Sequence, residues 1–239
     1  MPAPSALPMS TDPFQLPFRL DRSRNAATQV FDHLRELITT LALKPLASLQ
    51  RNDLSAYYGL SSTPVRDALT KLSEEGLVDI YPQQATVVRA IDVQSAMQAQ
   101  FLRLALEVEI ADQLAQQVTP QLIGTLGNLI SQQQLALSLG DFDTFVKVDM
   151  AFHRQMFASA NVEQLWHWVR QQSGNLDRLR RLHVPIEGKA ARVVADHRGI
   201  VAAIEVGDSA QAMANVRSHL TGTLTQIEAI REKHPGYLI

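Results

Sequence analysis

The sequence contains no cysteine among its 239 residues. Disulfide bonds, thiolate nucleophiles and cysteine-based zinc sites are therefore excluded, and any metal site must use imidazole and carboxylate ligands. No apolar run reaches the roughly eighteen residues that predict a membrane span. The amino-terminal sequence also lacks the basic segment followed by an apolar segment that is typical of a signal peptide. We therefore expect a cytoplasmic protein that does not associate with membranes.

An excess of either charge is also lacking. The chain has 22 Lys and Arg residues against 24 Asp and Glu residues, and its first 90 residues carry nine of each sign. Bulk charge therefore gives no argument for nucleic-acid binding, which must come from a local motif. A hydrophobic content of 46% with 19% charged residues is ordinary for a globular protein with a buried core.

The pattern along the chain divides it into three segments. Residues 1–20 contain five of the eleven prolines and show no apolar periodicity, so we expect a flexible arm. Residues 21–90 combine helical and strand patterns and form a separate predicted domain. Residues 91–239 show only helical periodicity, which predicts an all-helical bundle of about six helices.

Residues 21–90 have the pattern of a winged helix-turn-helix. An apolar helical stripe follows Thr28, and a second short helix over residues 51–58 ends at a glycine. Thr63 as N-cap and Pro64 at the first helical position predict the start of a third helix, because proline has no N–H to leave unsatisfied there. Two β-rich segments, residues 77–81 and 86–89, follow as a two-stranded wing.

The third helix is the candidate recognition helix, which enters the major groove of DNA in this architecture. Its apolar residues form one stripe and leave polar side chains outward near the amino-terminal end. Arg66 can hold a guanine or a phosphate, and the neighbouring hydroxyl groups suit phosphate oxygens. The predicted DNA-binding residues are Arg51, Ser61, Ser62, Thr63, Arg66 and Thr70. Because one such helix reads only a half-site, we expect a homodimer on a palindromic double-stranded operator.

The stretch GLSSTPVRDALTKLSEEGLV, which begins at Gly59, closely resembles the recognition segment of the GntR family of bacterial transcription regulators. The resemblance implies a winged helix that binds operator DNA. Ser62 stands where that family usually has an arginine, and Gln83-Gln84-Ala85 stands at its glycine-containing wing tip. We therefore expect the operator of this protein to differ accordingly.

Four polar side chains in the carboxy-terminal segment lie within apolar helical stripes. Asp149 and His153 are four residues apart on one predicted helix, so they face the same way. His197 and His219 lie among apolar residues of two further helices. Burying one unpaired polar group costs about 1–3 kcal/mol, and a shared divalent metal would satisfy all four. Three imidazoles and one carboxylate favour zinc, with nickel and manganese also possible.

The same segment resembles the FCD ligand-binding domain of the FadR-type branch of GntR regulators, in its metal-binding subclass. The resemblance rests on Arg103-Leu-Ala-Leu-Glu107, the Asp149/His153 pair, Asn161, Asp196-His197 and Ser218-His219-Leu220. It implies that the four residues hold a metal with open positions for a small organic acid. It also implies that Arg103 reaches this effector. For His33, His167, His183 and His234, which have no partner at ligand spacing, we expect solvated or structural roles.

The sequence thus predicts a mainly α protein with an amino-terminal winged helix-turn-helix and a carboxy-terminal helical bundle. The hypothesis for its function is a transcription regulator, and not an enzyme, whose operator affinity is controlled by a carboxylate effector at a metal site. One alternative is a metal-dependent hydrolase or lyase with an appended winged helix, because open metal positions can activate water. Another is a purely structural metal without an effector.

Overall fold

The computed structural model describes residues 13–15, 17–81, 85–183, 188–222 and 227–239. They form two compact units, one of the described residues up to Ile91 together with Ile239, the other of Asp92–Leu238. Each unit has a hydrophobic core of its own. No helix in these described ranges has the length and apolar character needed to cross a membrane.

Each helix of the first unit packs one apolar stripe into the core. They are α1 (Ala26–Thr39), α2 (Arg51–Tyr58) and α3 (Ser62–Glu74). The Asn25 side chain caps α1 by accepting from the N–H of Thr28, and Gly59 ends α2 in the left-handed conformation that glycine adopts without a Cβ clash. The predicted three-helix pattern is confirmed.

A small antiparallel sheet completes this unit. Its strands are β1 (Ser48–Leu49), β2 (Val78–Ile80) and β3 (Thr86–Val88), in the order β1-β3-β2. The wing strands β2 and β3 lie where the sequence predicts them, whereas β1 is too short to show a period-two pattern and was not predicted. Residues 82–84, which belong to the predicted wing tip, lie outside the described residues.

The predicted start of the third helix is wrong by two residues. Helix α3 begins at Ser62, and its N-cap is Ser61, whose side chain makes no capping hydrogen bond. Pro64 therefore lies at the third helical position, which is tolerated because the first four N–H groups of a helix have no partner within the helix.

Part of the segment predicted as a flexible arm packs on the winged-helix unit. The Phe18 ring stacks on His33 with a centroid separation of 4.4 Å, and Phe14 meets Tyr57 edge-on at 4.9 Å. Such aromatic pairs fix the residues just before α1 in place. Residues 1–12 and residue 16 of the predicted arm lie outside the described residues.

The second unit consists of helices only, within the residues that the structure describes. They are α4 (Val93–Gln116), α5 (Pro120–Ser138), α6 (Phe142–Ser159), α7 (Glu163–Gln172), α8 (Gly174–His183), α9 (Lys189–Glu205), α10 (Ser209–Thr221) and α11 (Ile227–Lys233). Polar N-caps begin four of them: the side chains of Asp92, Thr119, Asp141 and Asp208 each accept an N–H three residues further on. The predicted helical class is confirmed.

The predicted number of about six helices is lower than the eight in the described residues, because residues 161–185 and residues 208–234 were each predicted as one helix. The Ser173 hydroxyl donates to the carbonyl of Val169 and the Ser173 carbonyl accepts from Asp177 N–H, so one helix ends and the next begins at this residue. A serine that bonds its own backbone in this way interrupts a helix without a proline.

Candidate functional sites

The four predicted metal ligands come together in the second unit. Asp149 and His153 lie one turn apart on α6, His197 lies on α9 and His219 on α10. All four are buried, and one ligand atom of each lies within 4.8 Å of the others. The tertiary structure therefore brings residues from three helices to one point in the bundle.

The distances between the imidazole nitrogens suit a common ion. The Nε2 atom of His219 lies 3.2 Å from Nε2 of His197 and 3.3 Å from Nε2 of His153. Two nitrogens each about 2.0–2.1 Å from one ion are about 2.8–3.0 Å apart at octahedral angles and about 3.3–3.4 Å apart at tetrahedral angles. The observed spacings lie within the range that these two geometries span.

The other nitrogen of each ring faces an oxygen acceptor. His153 Nδ1 lies 2.6 Å from Glu107 Oε2, His197 Nδ1 lies 2.8 Å from Gln133 Oε1, and His219 Nδ1 lies 3.4 Å from Asp196 Oδ2. These contacts favour the tautomer that carries its proton on Nδ1, so three Nε2 lone pairs face one another. Lone pairs at this distance repel unless a cation lies between them, and oxygen partners of this kind commonly orient metal-binding histidines.

The protonation states also suit metal binding. Burial, followed by the Arg103 charge, lowers the pKa of His153 to about 4, and burial and His219 lower the pKa of His197 well below its usual value. Both rings are therefore neutral near pH 7, the form in which imidazole binds a metal. Burial alone raises the pKa of Asp149, but Arg180, His153 and His197 outweigh this and hold it well below its usual range.

Two further side chains fix the Asp149 carboxylate. Arg180 on α8 donates to Asp149 Oδ2, and Gln133 on α5 donates to Oδ1 at 3.3 Å. Gln133 thus holds two of the candidate ligands, since its carbonyl oxygen accepts from His197.

Arg103 is buried beside the cluster. Its Nε donates to Glu107 Oε1 at 2.5 Å, and Glu107 in turn holds His153. Burial raises the pKa of Glu107, but the charges of Arg103 and His153 outweigh burial and lower this pKa to about 2. The Arg103 Nη2 atom is buried and has no hydrogen-bond partner among the described residues. A guanidinium N–H in this situation is available to an anion.

A cavity of about 30 Å³ lies against these residues. Its lining comes from α4, α6, α8, α9 and α10 and includes Arg103, Asp149, Arg180, His183, Lys189 and His219. Two of these side chains are arginines, one is a lysine and one is an acid. The cavity therefore offers a positively charged wall beside the candidate ligands.

Sequence reasoning missed the side chains that orient the ligands. Glu107, Gln133 and Arg180 received no role, although Glu107 and Gln133 lie within the buried stripes of α4 and α5. Glu107 and Gln133 are polar residues in an apolar stripe, which is the same sequence signal that pointed to the histidines. Arg180 carries no such signal, because α8 is rich in arginine.

The six predicted DNA-contacting residues, Arg51, Ser61, Ser62, Thr63, Arg66 and Thr70, are all exposed. Arg51 begins α2, Ser61 is the N-cap of α3, and the other four lie on α3 within its first nine residues. Ser62, Arg66 and Thr70 recur every four residues, which places them on one helical face. Within the described residues, the interaction of Arg66 is an exposed ion pair of 3.3 Å with Asp67, so its guanidinium is accessible.

Comparison with known proteins gives the family. Residues 98–222 match the FCD domain and residues 26–88 match the gntR family of bacterial regulatory proteins. An HTH-type transcriptional regulator of Streptomyces ambofaciens is 36% identical over 213 residues, which are 89% of this chain and 89% of that protein. The chain belongs to the GntR family. It carries an FCD domain, as in the FadR-type branch.

Other known proteins are similar to this GntR-family regulator over most of their length. The transcriptional repressor RspR of Escherichia coli K12 is 24% identical over 219 residues, covering 92% of this chain and 96% of that protein. The solved structure of E. coli McbR/YncC has a TM-score of 0.72 at 22% identity and covers 88% of this chain and 99% of that one. The winged helix-turn-helix plus helical FCD fold is therefore confirmed. The protein is a transcription regulator and not an enzyme, so the hydrolase or lyase alternative is wrong.

Proposed function

We propose that this regulator binds a palindromic operator as a homodimer and that a small carboxylate, held at a divalent metal in the FCD domain, controls its operator affinity. The observation that carries the proposal is the convergence of three Nε2 atoms and the Asp149 carboxylate beside the unpaired Nη2 of Arg103. The name of the relative RspR supports repression as the sign of control.

Asp149, His153, His197 and His219 would hold the metal. Zinc suits three imidazoles and a carboxylate best, and nickel and manganese are accepted by the same donor set. When bound, the ion supplies a cation with positions open to a carboxylate oxygen. Arg103 binds the second oxygen of that carboxylate through Nη2, while Glu107 holds its Nε and thereby its orientation.

The volume of the cavity suggests how binding of an acid could change operator affinity. One water needs about 10–15 Å³, so a cavity of about 30 Å³ accepts an acid of several carbons only when its lining side chains move outward. The lining helices include α8, whose Asn175 accepts from the backbone N–H of Asp92 at 3.0 Å. Asp92 is the first residue after the winged-helix unit. Helix α8 therefore contacts both the effector cavity and the start of the FCD unit.

Three measurements test the function together. We expect the full-length protein to purify with a divalent ion, to be stabilised by small carboxylic acids, and to change its operator affinity when such an acid is added. A chelator should remove the response to the acid. Metal that binds without any acid changing operator affinity would reduce the site to a structural metal and contradict the proposed control.

Arg66→Ala is expected to weaken operator binding. If Arg66 contacts a base, the loss is about 1–3 kcal/mol, which is about 5–150-fold. The measurement is a gel shift with operator selected from genomic fragments by the purified protein. Arg154→Ala, which removes an exposed arginine paired with Glu163 in the FCD unit, is the matched control. Equal affinity of Arg66→Ala and wild type would show that α3 is not the recognition helix.

Asn175→Leu is expected to reduce the coupling between effector and operator. Effectors typically change the affinity at a second site about 5–150-fold, and loss of the Asn175–Asp92 hydrogen bond should bring that factor close to one. Metal content and acid affinity should stay at wild-type values. Asn175→Asp keeps the oxygen acceptor that binds Asp92 N–H and Arg178 and should retain the coupling. A full response in Asn175→Leu would exclude this contact from the control.

A further inference from the structure

The effector cavity contains a second buried nitrogen without a partner, which the proposed site does not use. His183 lies in the last turn of α8 and is 4% exposed. Its Nδ1 atom is buried and, like Nη2 of Arg103, has no hydrogen-bond partner in the part of the chain that the structure describes. A buried donor without a partner costs free energy comparable to its desolvation. Such a group in a cavity wall therefore indicates a ligand atom.

Lys189 adds a charge to the same part of the wall. It is the first residue of α9, lines the cavity, and makes no ion pair within the described ranges. Its Nζ lies 3.0 Å from the position that a Cβ on Gly222 would occupy, so the amine lies directly over the end of α10. Burial, ahead of the opposing charge of Asp196, lowers the pKa of Lys189, which shows an amine partly removed from water.

His183 lies on the same helix as the arginine that binds the candidate ligand Asp149. Arg180 contacts Asp149, and His183 follows it by three residues. Three residues of an α-helix span about 4.5 Å. His183 therefore lies about one helical turn beyond the side chain that holds Asp149, and both side chains line the cavity.

We propose that His183 and Lys189 form a second anion subsite in the effector cavity, so that the effector is a dicarboxylate and not a monocarboxylate. This inference rests on the proposed function, in which the first carboxylate lies between the metal and Arg103. The second carboxylate accepts from His183 Nδ1–H and faces the Lys189 amine.

The charges around the subsite support this assignment. Burial, then Lys189 and Arg180, lower the pKa of His183 to about 4, so the ring is neutral near pH 7 and donates through one nitrogen. The acidic side chain that lines the cavity, Asp149, is bound by Arg180. A monocarboxylate at the metal would bring no second anion to the part of the cavity wall that His183 and Lys189 form.

The test compares succinate with butyrate, which has the same chain length and a single carboxylate. Binding to the zinc-loaded full-length protein is measured by calorimetry, with metal content checked before and after. We expect succinate to bind about 10-fold or more tightly than butyrate, the usual effect of a hydrogen bond to a charged group. His183→Ala and Lys189→Met should each remove most of this preference and leave butyrate affinity unchanged.

Matched controls are His167→Ala and Lys233→Met, which change exposed residues of the same types and should retain the preference for succinate. Equal binding of the two acids to the wild type would overturn the second subsite while leaving the proposed function intact. Equal losses for both acids in His183→Ala and Lys189→Met would also overturn it, because they would indicate general damage to the cavity. If neither acid binds the zinc-loaded protein, both this inference and carboxylate control fail.

Discussion

Replacing His153 and His197 together with alanine is expected to abolish stoichiometric metal binding. The wild type should purify with about one divalent ion per chain, and the double variant should retain none above background in elemental analysis. Both rings are fully buried and present Nε2 to the cluster, so no neighbouring side chain can replace them. His167→Ala, which changes an exposed histidine, is the control and should keep the ion.

The same experiment has a thermal readout. An ion that binds only the folded state stabilises it by about 2.7–4.1 kcal/mol at concentrations 100–1,000 times its Kd. For a domain of this size each kcal/mol corresponds to about 2–4 °C, so a chelator should lower the Tm of the wild type by about 5–15 °C. It should leave the Tm of the double variant unchanged. Stoichiometric metal in the double variant would contradict the ligand assignment.

Glu107→Gln is expected to produce the second large effect. This carboxylate is fully buried and accepts from both Arg103 and His153, whereas an amide has only one oxygen and cannot serve both donors as an anion. Removing one partner of a buried ion pair typically costs about 3–5 kcal/mol. Loss of a group that orients a metal-binding histidine typically lowers metal affinity about 10–100-fold.

Glu109→Gln provides a matched control for this variant, because Glu109 is an exposed residue on the same helix. Chemical denaturation gives the free energy of unfolding, and competition with a chelator of known affinity gives the metal Kd. Unchanged metal affinity in Glu107→Gln would show that His153 does not depend on this carboxylate for its orientation.

The sequence predicted the elements that depend on local chemistry. The glycine after α2 marks a helix end through a backbone conformation that involves only a few neighbouring residues. The break between α7 and α8 was not predicted, because Ser173 ends a helix only when its hydroxyl donates to a carbonyl of the preceding turn. Strand β1 was not predicted because a strand of two residues is too short to show the alternation of apolar and polar side chains.

Within the site, periodicity alone indicated that Asp149, His153, His197 and His219 face the interior, since a helical stripe fixes the direction of a side chain. The sequence could not determine what those side chains meet there. His153 contacts a carboxylate 46 residues away, Asp149 an arginine 31 residues away, and His197 an amide 64 residues away. Only the packing of the helices decides which distant groups become neighbours, because that depends on their relative register and crossing angles. The sequence thus determined the family, the helices and the inward-facing residues, and the tertiary structure decided their partners and the cavity beside them.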